Sequence, residues 1–274
     1  MRLIPLWILK LFYRKQAREA GSVSEEMKLL PDQKDDRDYD AFHLVGDTSI
    51  PSPLSKTKFS LKEYVNQVKN QGSIGSCGPH ALTSAYELLL YKEHKKRLEG
   101  SELFLYYNAR ENKSTDCGIT LREGIKAMQN NGFCLEQFWP YKEWKWIEVP
   151  PNIPAYYNAN IFKQMSMYKI KNYYKCYNKS QIKQALLNGY PVVFGVKIYG
   201  EFYNHTWSTG EVKMPTPSEV YKGGHGMLIV GYDDEKRAFE VLNSWGDSFG
   251  NHGFCFIPYE YVDKFLIDAW VVVK

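Results

Sequence analysis

The sequence predicts an α+β fold of two lobes with a cleft between them. Two observations carry this. From about residue 77 the apolar positions recur at helical spacing. From Pro191 onward the chain is a series of short β-rich runs separated by turns. With 274 residues, 44% of them hydrophobic, the chain is long enough for one large domain or two modest lobes around a sizeable core.

The first 56 residues differ from the rest. The apolar run Leu3 to Leu9 is broken by Lys10 and is too short to span a bilayer. It matches a signal peptide poorly and suits a membrane-surface segment equally, so membrane association and localisation stay open. The polar stretch PDQKDDRDYD (31–40) and the prolines at 51 and 53 read as an extension or linker without much core of its own. The main domain follows over 57–274, with a helical lobe at about 77–140 and a β lobe at about 190–274.

CGPHALTSAYELLLYKEH places Ala81, Leu82, Ala85, Leu88 and Leu89 on one helical face, and Pro79 suits a first turn. A second helix covers SELFLYYNARE. A third starts at Thr120, where TLRE is a capping box and Gly132 a stop. A fourth covers SQIKQALLNG, with Ser180 as N-cap and Gly189 at its end. The strands PVVFGVKIY, GMLIVGYDD, AFEVLNS, GFCFIP and AWVVVK follow, with DDEKR as a hairpin turn. This second half is expected to be antiparallel and barrel-like.

The net charge of +4 comes from cations scattered among acids, without the basic stripe of a nucleic-acid binder. None of the five cysteines forms a C-x-x-C pair, which speaks against a zinc ribbon, and no metal or cofactor is implied. Sequons at Asn112, Asn178 and Asn204 carry little weight on so short a motif.

The chemistry concentrates in three segments. In NQGSIGSCGPH, Cys77 sits at the start of a helix, where unpaired N–H groups and the helix dipole favour a thiolate. A lone cysteine is more often a small buried apolar residue, so it needs a base. His225, in KGGHGMLIVGY, is the best candidate. Its flanking glycines, Gly224 among them, let a substrate backbone come close. Imidazole needs a partner to fix its tautomer, and Asn243 of NSWG can supply an amide oxygen while Trp245 covers the bond. Gln71 lies six residues before Cys77. Its amide and the Cys77 backbone N–H would make two donors for an oxyanion.

Together these segments resemble the papain family of cysteine peptidases. VKNQGSIGSCG is similar to that family's nucleophile segment, GGHGMLIVGYDD to its histidine segment and NSWGDSFGNHGFCFIP to its asparagine segment. His225 falls within the family's interval of about 130–150 residues after the nucleophile, and Asn243 slightly beyond it. The resemblance covers roughly 57–274. It implies a two-lobed fold and a Cys77–His225–Asn243 site with Gln71 in the oxyanion hole. It also implies a backbone strip at Gly118, with Ile119 lining the S2 pocket. Polypeptides bound in extended form are the implied partners. Ile74 stands where the family usually has a cysteine, and Gly78 where it has an aromatic. YYNARE, WPY and GYPVVFGVKIY resemble a branch found in bacteria and large DNA viruses. His80 is expected to point into the helical lobe. No paired-His loop lies between His94 and His205, so endopeptidase activity is expected. Residues 24–56 are expected to lie along or across the cleft and restrain it.

Two other readings stay open from sequence. One is a catalytically weak or inactive binding protein of the same fold. The other is an acyltransferase, against which the Asn in NSWG speaks, since such enzymes pair the His with Asp.

Overall fold

The computed structural model describes residues 27–41, 44, 56–113, 115–142 and 168–274. The N-terminal apolar run and most of 42–55 lie outside the described residues. Six α-helices are present among them: α1 (Cys77–His94), α2 (Glu102–Ala109), α3 (Leu121–Asn131), α4 (Lys179–Leu187), α5 (Gly200–Thr209) and α6 (Tyr259–Phe265). The strands are β1 (Met27–Leu30), β2 (Lys58–Ser60), β3 (Ile119–Thr120), β4 (Asn172–Lys175), β5 (Val192–Tyr199), β6 (Tyr221–Asp233), β7 (Ala238–Leu242), β8 (Phe254–Pro258) and β9 (Leu266–Val273).

Helix α1 is buried on nearly every side from Cys77 to Leu90. It lies between α2 and α3 on one flank and β5 and β6 on the other. A helix in that position loses the polar face of a surface helix. Its one buried acid, Glu87, accepts from Lys69 Nζ and from the Gly100 N–H, both at 2.7 Å. Lys69 also pairs with Glu102. Helix α3 begins on the expected capping box, Thr120 with Glu123, and stops at Gly132, where φ is +72°. The N-cap of α4 is Asn178, whose Oδ1 accepts from the Gln181 N–H at 3.0 Å. Ser180, expected in that role, falls within the first turn because the asparagine two residues earlier already closes the helix end.

All nine strands join one open sheet, whose path runs β3–β1–β6–β5–β9–β4, with β2 and β7 also on β6 and β8 on β7. The expected hairpin is there: β6 and β7 pair antiparallel from Asp233 and Ala238. As expected, the β lobe is antiparallel, in the pairs β5–β6, β5–β9, β6–β7 and β7–β8. Strand β1 joins it in parallel, between β3 of the helical lobe and β6 of the β lobe. Leu29 faces Ile119 on one side and Gly224 on the other.

The extension is therefore not coreless. Met27, Leu29 and Ala41 are buried. Behind β1, Asp32 accepts from the Trp270 indole N–H at 2.9 Å and from the Arg122 backbone N–H at 3.1 Å, at the N-terminus of α3. The Asp32 N–H donates to Asp268 at 2.8 Å. The Arg122 guanidinium binds the Gln33 carbonyl and Asp38. The run of charges that reads as a solvated linker is in part a set of buried fasteners. Composition does not report that, because the partners of Asp32 and Asp38 lie far along the chain.

Candidate active site

Cys77 is the first residue of α1 and is 2% exposed. Its loop is shaped by small residues and by Tyr141, whose hydroxyl donates to the Gln71 carbonyl at 2.7 Å and shares a 2.7 Å hydrogen bond with Ser76. Facing α1 is β6. A Cβ on Gly226 would stand 3.2 Å from the Gly78 nitrogen and 3.4 Å from the Cys77 carbonyl carbon, so β6 passes against the start of the helix directly after His225. The backbone N–H groups of Gly226, Gly78 and Cys77 favour the thiolate form.

His225 is fully buried. Its Nε2 lies 2.8 Å from Asn243 Oδ1, which also accepts from the Ser244 N–H at 2.8 Å. An amide oxygen only accepts, so the ring proton sits on Nε2 and Nδ1 carries the lone pair. Nδ1 has no hydrogen-bond partner among the described residues. Trp245 stacks on the imidazole with centroids 4.8 Å apart. Tyr203 and Trp207 of α5 stack on Trp245 in turn, at 5.1 and 6.0 Å. Helix α5 was legible only as a gap between strands. Tyr203 and Trp207, four residues apart, were the signal for it, since that spacing brings both rings to one helical face.

The loop at 69–71 is tied to the loop at 244–246: Gln71 N–H donates to the Ser244 carbonyl at 2.9 Å and Gly246 N–H to the Lys69 carbonyl at 3.0 Å. The Gln71 side chain is gripped at both ends. Its Nε2 donates to the Ile74 carbonyl at 2.8 Å, and its Oε1 accepts from the Ser244 hydroxyl at 2.7 Å. One amide hydrogen remains uncommitted by these bonds. His80 is turned into the helical lobe, its Nδ1 2.9 Å from the Ser76 carbonyl and its ring edge-on to Tyr141 at 4.8 Å. All five cysteines carry free thiols.

Strand β1 fills the cleft beside this pair. Lys28 lies against Gly118, whose φ of +74° and lack of a Cβ admit the Lys28 carbonyl. Gly224 receives the Leu29 carbonyl in the same way. Leu29 projects between Gly195 and Ile267. Ile119 pairs with Leu29 through its backbone, but its own side chain packs between Gly78 and Gly124 inside the helical lobe. The Leu29 side chain therefore meets Gly195, a residue the motifs did not mark, rather than the Ile119 side chain.

Burial sets the protonation states. It pushes the Cys77 thiol up to about 11, against the pull of the Gly226 and Gly78 N–H groups, and Asp116 adds to the rise. Burial drops His225 to about 4, partly opposed by the Asn243 hydrogen bond. With β1 seated, thiol and imidazole are both neutral.

A family model described as papain family cysteine protease matches residues 54–272. The chain belongs to the papain family. A peptidase C1-like protein of Acanthamoeba polyphaga mimivirus is 36% identical over 78% of this chain and 71% of its own length. Mouse cathepsin K is 28% identical over 76% of this chain, which spans 60% of cathepsin K. Among solved structures, xylellain, a cysteine protease from Xylella fastidiosa, superposes with a TM-score of 0.77 at 32% identity. That match covers 90% of this chain and 96% of xylellain. Membership makes the chain a papain-like cysteine peptidase, a hydrolase, with the viral and bacterial relatives that YYNARE, WPY and GYPVVFGVKIY suggested.

Proposed function

We propose that the protein is a cysteine endopeptidase in which Cys77 is the nucleophile, His225 the general base and acid, Asn243 its orienting partner, and Gln71 with the Cys77 N–H the oxyanion donors. The observation that carries this is the 2.8 Å bond from His225 Nε2 to Asn243 beneath Trp245, which leaves Nδ1 as the bare nitrogen on the strand that passes Cys77. Nδ1 takes the thiol proton as sulfur attacks the peptide carbonyl. The tetrahedral oxyanion is held by the donors, and Nδ1 returns the proton to the leaving amine. Water, deprotonated by the same nitrogen, then releases the acyl-thioester. Gly118 and Gly224 suit a substrate that runs extended between the lobes. The absence of a paired-His loop in the sequence supports internal cleavage.

In the same reading, residues 24–56 restrain the enzyme and 57–274 form the peptidase domain. The support is that β1 occupies the space a substrate backbone needs, and that the pair beneath it is neutral. The test is iodoacetamide labelling of Cys77 across pH, located by mass spectrometry, alongside turnover of a casein-derived peptide. Both are run on the full chain, on a chain beginning at Thr57 and on His225→Ala. The shorter chain should label fast well below the ordinary thiol pKa of about 8.5 and cleave the peptide. His225→Ala should do neither. Equal labelling and turnover in the full and shortened chains would end the restraint reading. Labelling only at alkaline pH in all three would end the catalytic one.

A further inference from the structure

Beside the catalytic pair, the cleft contains a charged slot that none of the roles above uses. Lys28 of β1 runs along Gly75, two residues before the nucleophile. A Cβ on Gly75 would stand 2.9 Å from Lys28 Cδ and 2.9 Å from Asp116 Oδ1, so the slot exists because residue 75 has no side chain. The lysine ends on Asp116 Oδ2 at 2.7 Å. The Asp116 side chain is only 10% exposed and that of Lys28 30%.

The carboxylate does not depend on the lysine for its position. The Gly75 N–H donates to Oδ1 at 3.0 Å and reaches Oδ2 at 3.2 Å. The Tyr106 hydroxyl donates to Oδ1. That hydroxyl also accepts from the Gly118 N–H at 3.0 Å. Asp116 is therefore fixed at once to the nucleophile loop and to the Gly118 strip, with Oδ2 turned toward the slot. When β1 leaves, that carboxylate faces the groove over Gly75 that the unbranched Lys28 stem now occupies.

We propose that Asp116 is a specificity-determining residue, and that the groove over Gly75 takes a lysine or arginine side chain of the polypeptide substrate, its cationic head on Asp116 Oδ2 where Lys28 now sits. The proposal rests on the peptidase reading of the cleft. Oδ1 is already engaged twice, so the head makes one strong bond to Oδ2 rather than a bidentate pair, and lysine and arginine both serve. A leucine there would leave the carboxylate dry and unpaired, and a glutamate would meet like charge.

The experiment uses the full chain carrying Lys28→Gln and Leu29→Ala, which removes the cation from Asp116, loosens β1 and keeps Asp116. Peptides identical except for one arginine or its neutral isostere citrulline are compared by kcat/KM, with cleavage sites located by mass spectrometry. The arginine peptide should be favoured at least about tenfold, as a charge-assisted bond allows. Asp116→Asn should bring that ratio close to one. Equal cleavage of the two peptides, or a ratio untouched by Asp116→Asn, overturns the proposal. Should Asp116→Asn not fold, the arginine-to-citrulline ratio of the chain carrying Lys28→Gln and Leu29→Ala decides alone. Binding of the same peptides to Cys77→Ala, read by fluorescence anisotropy, separates the two readings. Preferred binding of arginine without hydrolysis by the active chain keeps the slot and sinks the peptidase reading. Equal binding sinks the slot even if both peptides are cut.

Discussion

Replacing Leu29 by alanine tests how the strand is held. Leu29 is 4% exposed and lies between Gly195 and Ile267, while its backbone pairs with Ile119 and Gly224. Leucine-to-alanine changes at buried sites cost about 2–5 kcal/mol. The low end applies here, because the vacated space borders a cleft that water can re-enter. With β1 released, the side chain is in water in either variant, so the whole cost falls on the closed form. At about 1.4 kcal/mol per tenfold, 2 kcal/mol raises the released population roughly 30-fold. When reclosing outpaces alkylation, the iodoacetamide rate at Cys77 follows that population. The expected outcome is a roughly 30-fold faster reaction at Cys77. Cys134, Cys176 and Cys255 are buried away from the cleft and serve as internal controls in the same spectrum. A rise shared by all four would mean global unfolding. A lower urea midpoint with Cys77 labelling unchanged would refute the account of what β1 covers.

Three further outcomes follow from the geometry. Asn243→Ala removes the acceptor of His225 Nε2, so kcat should fall about tenfold or more with KM little changed, since a buried charge-assisted bond is lost as the imidazolium forms. Acid should release the strand: His225 titrates near 4 with β1 seated and near its usual value of about 6.5 once solvated, so between those values the open form binds more protons and is favoured as pH falls. Amide hydrogen exchange at residues 28–30, corrected for its intrinsic pH dependence, should therefore lose protection on going from pH 6.5 to 4, and constant protection would contradict the assignment. Lys69→Met leaves Glu87 and Glu102 buried without their shared cation and should cost about 3–5 kcal/mol in urea unfolding; a change under 1 kcal/mol would show that both acids are held neutral.

What the sequence made legible were features with local grammar. The capping box at Thr120, the glycine stop at 132 and the hairpin after Asp233 depend on residues within a few positions of one another, and all three stand in the structure. Cys77, His225 and Asn243 could be picked out because each sits in a short context of small residues that only close backbone approach explains. Their juxtaposition came from resemblance, since nothing local brings β6 to the head of α1. The misses have the opposite character. Ile119 carries the right chemistry for a pocket wall, yet strand alternation turns it inward against Gly78 and Gly124. Asp32, Asp38 and Asp116 look like solvated charge until Trp270, Arg122 and Tyr106 arrive from distant positions. Helix α5 is decided by packing of its aromatic pair on Trp245, a tertiary reason that outranks the weak propensity of GEFYNHTWST.

The place of β1 in the sheet bears on how the protein is made. Its residues leave the ribosome early, but its seat is completed by Gly223 and Gly224, which are synthesised on the order of ten seconds or more later. The next residue after that seat is His225. Under the proposed reading, the Cys77 thiol waits without its base until that point, and the base arrives together with the edge that receives β1. Arming and covering would then be one event in the life of the nascent chain.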